Sequence, residues 1–348
     1  MATTYLAEKN PHPRDTRIVF DEGPHTYTIQ GEEDKQYTSV TTWVHSYFKK
    51  FDAKKVIEAM MRNKRKWEDP IANEKYYGKT AEEIEEMWKQ SGQEAAAKGT
   101  AMHYEIECFY NRPESTETTT TTTTTTADPH DPQTQSVAGG RNPHYQESVA
   151  GGRNPHQESV AGGRNPHQES VAGGRNPHQE SVAGGRNPHQ EFQYFQNFNE
   201  EFVENGTLRP YRTEWTVFHE EAQIAGSIDM VYENTDSPED ARTLSIYDWK
   251  RCKEITKTNR GGEFATNPII EHFPDTNYWH YALQLNIYKY ILQTKYGKTI
   301  TDLYLIVLHP DAKNYQRIKL PNIQSEVDEL FKERIAAFAS ASASAFGK

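Results

Sequence analysis

The chain has 348 residues, a formal net charge of -11 and a mean hydropathy of -0.93. That balance argues against a protein that coats nucleic acid indiscriminately, and the absence of a long apolar run argues against a membrane-spanning helix. Two cysteines, Cys108 and Cys252, fit a reducing compartment, and MATTYLAEKNPHPRDTR has no apolar signal core, so an intracellular, non-secreted protein is expected.

Residues 18 to 39 alternate polar and apolar, with HTYTIQG and KQYTSV reading as a short hairpin. SVTTWVHSYFKKF predicts a helix capped by Ser39 or Thr41, with Val44, Tyr47 and Phe48 on its apolar face. Helical patterns continue through VIEAMMRNKRKW and TAEEIEEMWKQ. The clearest helix of this half is EAAAKGTAMHYEIECFYN, Ala-rich at its start and periodic through Met102, Ile106 and Tyr110. Two basic stretches stand out against the acidic background, Lys49 to Lys66 and Lys250 to Arg260. The first reads equally as a solvated helix face. The second, with Arg251, Lys253, Lys257 and Arg260, directly follows a pair of carboxylates and is expected to contact DNA or RNA.

From Arg112 the composition changes. A run of nine threonines ends at Thr126, and five near-copies of SVAGGRNPHQE follow from Ser136 to Glu191. Val is the one large aliphatic residue of each copy, too little apolar surface to offset the entropy of ordering it. Residues 113 to 191 are therefore expected to be a disordered insertion, against the rival of a stacked solenoid.

EFQYFQNFNEEFVENG then predicts an aromatic amphipathic helix. RTEWTVFH, AQIAGSIDMVYE and TLSIYDWK predict three strands in a meander. A long loop from Cys252 to Thr276 precedes NYWHYALQLNIYKYILQTKYG, a helix with Tyr281, Leu285, Tyr288 and Leu292 on one stripe. DLYLIVLHP reads as a buried strand, YQRIKL as its partner, SEVDELFKERIAAF as a closing helix and 339 to 348 as a flexible tail. With the insertion removed, the order of elements predicts an α/β core, a mixed sheet flanked by helices. Residues 1 to 93 form an N-terminal hairpin and helical region, and 94 to 112 with 192 to 338 form the core.

Asp229 lies on the second strand of the meander, Asp248 and Lys250 on the third. Strand alternation puts Asp248 and Lys250 on one face and Tyr247 and Trp249 on the other. Two neighbouring carboxylates repel unless a cation neutralises them, and hard oxygen ligands suit Mg²⁺ or Mn²⁺. Lys250 is placed to orient or deprotonate a water, or to neutralise charge on a phosphoryl transition state. A cross-strand salt bridge is the plainer alternative. His103 and Glu107, one helical turn apart, share a face, as do Gln284 and Tyr288. Glu214 on the first strand is a further ligand or an edge charge.

GTAMHYEIE, GSID, DWK and QLNIY, in that order, resemble the motifs of the RecB-like branch of the PD-(D/E)XK nuclease superfamily. YTSVTT is similar to the corresponding stretch of mitochondrial genome maintenance exonucleases, and the layout to versions carried by large DNA viruses. The resemblance implies a restriction-endonuclease-like α-βββ-α-β core. It implies His103, Asp229, Asp248 and the Trp249 carbonyl as ligands of Mg²⁺ or Mn²⁺, Lys250 as the catalytic lysine, and Glu107 as a helix carboxylate of variable role. Gln284 and Tyr288 would orient the lysine or the nucleic acid. The iron-sulfur cluster of some relatives needs four cysteines and is not expected in this chain.

The function this implies is metal-dependent hydrolysis of DNA phosphodiesters, as an exonuclease on single-stranded or end-containing DNA in replication, repair or recombination. The alternatives are a catalytically inactive nucleic-acid-binding module and a scaffold acting through its repeats on replication partners.

Overall fold

The structure, a computed structural model, describes residues 4–112, 190–238, 241–259 and 261–346. The threonine run and nearly all of the repeats lie outside the described residues, as does Arg260.

Three long strands follow one another as an antiparallel meander: β4 (Leu208–His219), β5 (Ile224–Asn234) and β6 (Leu244–Lys250). A helix, α7 (Asn277–Lys295), carries the chain back so that β7 (Ile300–Val307) lies parallel to β6. β8 (Gln316–Lys319) then pairs antiparallel with β7, and the two-residue β3 (Thr38–Ser39) pairs parallel with the start of β5. The result is the mixed six-stranded sheet expected of a restriction-endonuclease-like fold.

Every residue of β6 is buried, because both faces of the sheet are covered. One face packs Leu244 and Ile246 against α7, α2 (Val40–Ser46) and α8 (Gln324–Phe346). The other packs Tyr247 and Trp249 against α5 (Ala81–Tyr110) and α6 (Gln190–Asn199), through Met102, Ile106, Tyr110, Phe195 and Phe198. The alternation expected for β6 is therefore realised. Ser39 caps α2, its side chain accepting from the Thr42 N–H.

Some elements differ from expectation. The N-terminal hairpin joins β1 (Ile18–Asp21) to β2 (Thr26–Ile29), and KQYTSV takes no part in it. Tyr37 and Val40 are buried in the main core, so that segment is drawn to β5. TAEEIEEMWKQ and EAAAKGTAMHYEIECFYN form one 30-residue helix, α5, opened by a Thr80–Glu83 capping box. The closing helix α8 runs to Phe346, through the Ala-Ser stretch read as a flexible tail, since alanine is the strongest helix former. Gln190 and Glu191, assigned to the insertion by sequence, are the first residues of α6, and the Arg251 Nε donates to Glu191 at 2.7 Å.

The two ends of the insertion come back together. Phe109, near the end of α5, packs edge-on against Phe192 and Phe195 of α6, with ring centroids 6.2 and 5.2 Å away. Replacing 113–189 by a flexible linker of about eight residues should leave the melting temperature at or above that of the full chain. Loop-closure entropy favours the shorter connection by about 2 kcal/mol at most; a lower melting temperature would show that the insertion supports the core.

His219, at the end of β4, is 4% exposed; its Nδ1 accepts from the Ala222 N–H, and its ring lies 5.0 Å from that of Phe331. Burial, aided by the Lys295 charge, lowers its pKa to about 4. The unfolded chain then binds this proton more readily, so stability present above about pH 6.5 is lost as the pH falls toward 4, by up to roughly 3 kcal/mol. Urea titrations at the two pH values should show a smaller loss for His219→Gln than for the parent chain.

Candidate active site

β5 is paired with β4 along its whole length on one edge. Its other edge is divided: β3 takes Ile224 and Ala225, and β6 takes Met230 to Glu233. Residues 226 to 229, Gly-Ser-Ile-Asp, lie between these two partners, where β6 and β5 part company. At this fork the main-chain groups of Trp249 are satisfied by side chains instead of a strand. Its N–H donates to Asp229 Oδ2 at 3.0 Å, and its carbonyl lies 2.9 Å from His103 Nε2. A carbonyl has no proton to give, so Nε2 carries the hydrogen and Nδ1 is left facing the acids.

His103 Nδ1 is 3.6 Å from Asp229 Oδ2 and 3.9 Å from Glu214 Oε1. One donor atom from each of His103, Glu214 and Asp229 falls within 4.8 Å of the others. Glu214 sits opposite Asp229 in the β4–β5 register, between the Thr213–Met230 and Trp215–Ile228 pairs. It accepts a hydrogen bond from Ser227 Oγ at 3.0 Å and holds a left-handed φ of 43°. That conformation costs on the order of 1 kcal/mol or more for a residue with a Cβ.

Asp248 and Lys250 emerge together from β6, as strand alternation requires. The ammonium is 2.7 Å from Asp248 Oδ2 and 4.8 Å above the centre of the Tyr281 ring on α7. Both residues are buried, as is Asp229. Burial pushes the Asp248 carboxyl up to about 7 against the pull of Lys250, and raises Asp229 as well. Burial opposes charge on His103, yet the Asp229 and Glu214 carboxylates overcome it and lift the imidazole to about 9. Lys250 is likewise held above its ordinary range, burial being outweighed by Asp248 and Asp229.

Three carboxylates thus face one ammonium and one imidazolium, one acid more than there are cations. Carboxylate oxygens with one imidazole nitrogen fit a divalent cation such as Mg²⁺ or Mn²⁺. A ring whose far N–H is tied to a main-chain carbonyl is oriented as metal-ligating histidines are.

The other residues singled out from sequence are distributed as follows. Glu107 is buried one turn along α5 from His103, outside the cluster that His103 makes with Glu214 and Asp229. Gln284 and Tyr288 are buried on α7. Arg251 is bound to Glu191, Lys253 to Asp311 at 2.7 Å, and Lys257 lies 4.7 Å over the Tyr278 ring. The Trp249 carbonyl, expected as a ligand, is engaged by His103. The Cys108 and Cys252 thiols are free. Sequence left Glu214 undecided, because its place opposite Asp229 depends on the length of the β4–β5 turn. Tyr281 was visible only as a member of an apolar stripe.

The site belongs to a recognisable class: carboxylates and a lysine at a fork in a mixed sheet, as in metal-dependent nucleases. The sequence profile of the PD-(D/E)XK nuclease superfamily matches residues 73–346, and the chain belongs to that superfamily. No curated protein shows significant similarity to it.

Gly226 is explained by this geometry. A Cβ there would lie 2.7 Å from the Tyr288 hydroxyl and 2.9 Å from its ring, so glycine is what allows α7 to seat Tyr288 against the stretch of β5 that β6 has left. Gly226→Ala should cost about 1–3 kcal/mol, and much less in a Tyr288→Ala background. Urea denaturation of the double-mutant cycle checks this; an equal cost in both backgrounds would mean the ring is not the obstacle.

Proposed function

We propose that the chain is a Mg²⁺- or Mn²⁺-dependent deoxyribonuclease of the RecB-like kind, hydrolysing phosphodiester bonds in DNA that is single-stranded or has free ends. The observation that carries this reading is the fork itself, with His103, Glu214 and Asp229 within 4.8 Å of one another and the Asp248–Lys250 pair on the adjoining strand. His103 Nδ1, Asp229 and Glu214 would hold the cation, with Asp248 contributing from the Lys250 side. A bound divalent ion supplies Lewis-acid polarisation of the scissile phosphate.

The chain's own groups do the rest. In the hydrolysis, water adds to phosphorus, the P–O ester bond breaks, and the products are a phosphomonoester and an alcohol. Negative charge accumulates on the phosphoryl oxygens on the way, and the Lys250 ammonium, fixed between Asp248 and the Tyr281 ring, stands where it can neutralise that charge. Trp249 orients His103 and Asp229 through its carbonyl and N–H. Tyr288 and Gln284 act as positioning residues, keeping α7 and Tyr281 against the fork.

Two measurements test the proposal. Asp229→Asn and Lys250→Met should each reduce cleavage of labelled linear DNA by at least ~100-fold while far-UV circular dichroism stays unchanged. Mn²⁺ should raise the melting temperature of the parent chain, and Glu214→Gln should lose most of that rise while Glu107→Gln keeps it. A parent chain that cuts neither single-stranded, linear duplex nor circular DNA in either metal would sink the reading.

A further inference from the structure

Residues 49 to 66 hold eight Lys and Arg and two acidic residues in a chain whose net charge is -11. All eight cations are exposed. They lie on and around α3 (Ala53–Arg62) and α4 (Lys64–Trp67). Lys49, Lys55 and Arg62 pair with Glu263, Asp52 and Glu58, while Lys50, Lys54, Lys64 and Arg65 make no ion pair with any described residue. Concentrating this much like charge costs self-repulsion, which a polyanion would relieve.

The stretch is not a loose tail. α3 packs on α5 and buries Ile57, and Trp88 of α5 packs against Phe51 and Tyr76, its indole N–H donating to the Tyr76 hydroxyl at 2.9 Å. α3, α4 and the first half of α5 therefore form a helical arm on the same helix that carries His103. The base of the arm is tied to the loop that follows Lys250 and to the first turn of α7. The Tyr47 carbonyl accepts from both the N–H and the hydroxyl of Thr266, Phe48 lies 3.9 Å from the His280 ring, and Lys49 pairs with Glu263.

A second feature coincides with the first. Among the described residues, five large apolar side chains are conspicuously exposed, and three of them are aromatic. Tyr77 (52%) lies in the turn segment between α4 and α5, Phe264 (46%) next to Glu263, and Tyr104 (46%) one residue past His103 on α5. Cations bind phosphates, whereas exposed rings bind the faces of unpaired bases, which a duplex hides.

Resting on the nuclease reading, we propose that the arm and the adjoining loop form a binding track for a single strand of nucleic acid, gripping its phosphates through Lys50, Lys54, Lys64 and Arg65 and stacking its bases on Tyr77 and Phe264. The track holds the strand away from the scissile bond, so it governs affinity and not the chemical step.

The test is fluorescence anisotropy with the full chain, a chelator and a labelled single strand of about 20 nucleotides, titrated across salt concentration. The combined Lys50→Gln, Lys54→Gln, Lys64→Gln, Arg65→Gln variant should bind at least ~30-fold more weakly. Its slope of log affinity against log salt should fall by roughly 0.7 per lost phosphate contact, up to about 3 in all. Tyr77→Ala with Phe264→Ala should weaken single-strand binding about 10-fold, leave the salt slope unchanged, and leave duplex binding unchanged. In cleavage assays the charge variant should raise KM without changing kcat. A parent chain that cuts DNA beside a charge variant with unaltered slope and KM overturns the track while the nuclease reading stands. A parent chain that binds with an arm-dependent slope yet never cuts overturns the nuclease reading and leaves the track in place.

Discussion

Trp249 occupies a place where strand pairing stops but the need to satisfy the main chain does not. Its N–H and carbonyl point toward the edge of β6 that β5 has left, and an unsatisfied buried pair would cost several kcal/mol. Asp229 takes the N–H and His103 takes the carbonyl. Two side chains from elements far apart in sequence are thereby locked to one residue. The ring atom left over, Nδ1, faces Asp229 and Glu214.

The side chain of Trp249 makes this arrangement rigid. Its indole is buried on the opposite face of the sheet, edge-on to Phe195 and Phe198 of α6. Tyr247, two residues earlier, packs on Phe198, Tyr232 and Tyr304 in the same layer. α6 is thus part of what steadies the site, although it carries none of its charged groups. The insertion that separates α5 from α6 in sequence does not separate them in space.

Charge in the site is arranged to be incomplete. Gathering three acids, two of them buried, beside one lysine and one histidine stores unfavourable energy that stronger internal pairing would have removed. The cost of placing Glu214 at a positive φ points the same way, since strain of that kind persists where the surrounding structure over-determines it. On a larger scale the chain's charge is divided too, with eight Lys and Arg gathered in residues 49 to 66 of an otherwise acidic chain.

Much of this was legible in the residues. The meander, the two helices that bracket it and the common face of Asp248 and Lys250 follow from hydrophobic period and strand alternation. Those are local properties of the chain, readable a few residues at a time. Ser39 as a cap belongs to the same category. What only the tertiary structure decided depends on register and on the length of turns. Glu214, not Glu107, joins His103 and Asp229, because the β4–β5 register brings it opposite Asp229 while Glu107 lies a turn further along α5. The Trp249 carbonyl orients the histidine because the strands diverge at that point, and Gly226 is a glycine because α7 presses a tyrosine onto it. Sequence determines which side chains share an element and a face; which elements meet, and at what offset, is settled by burial of the whole core.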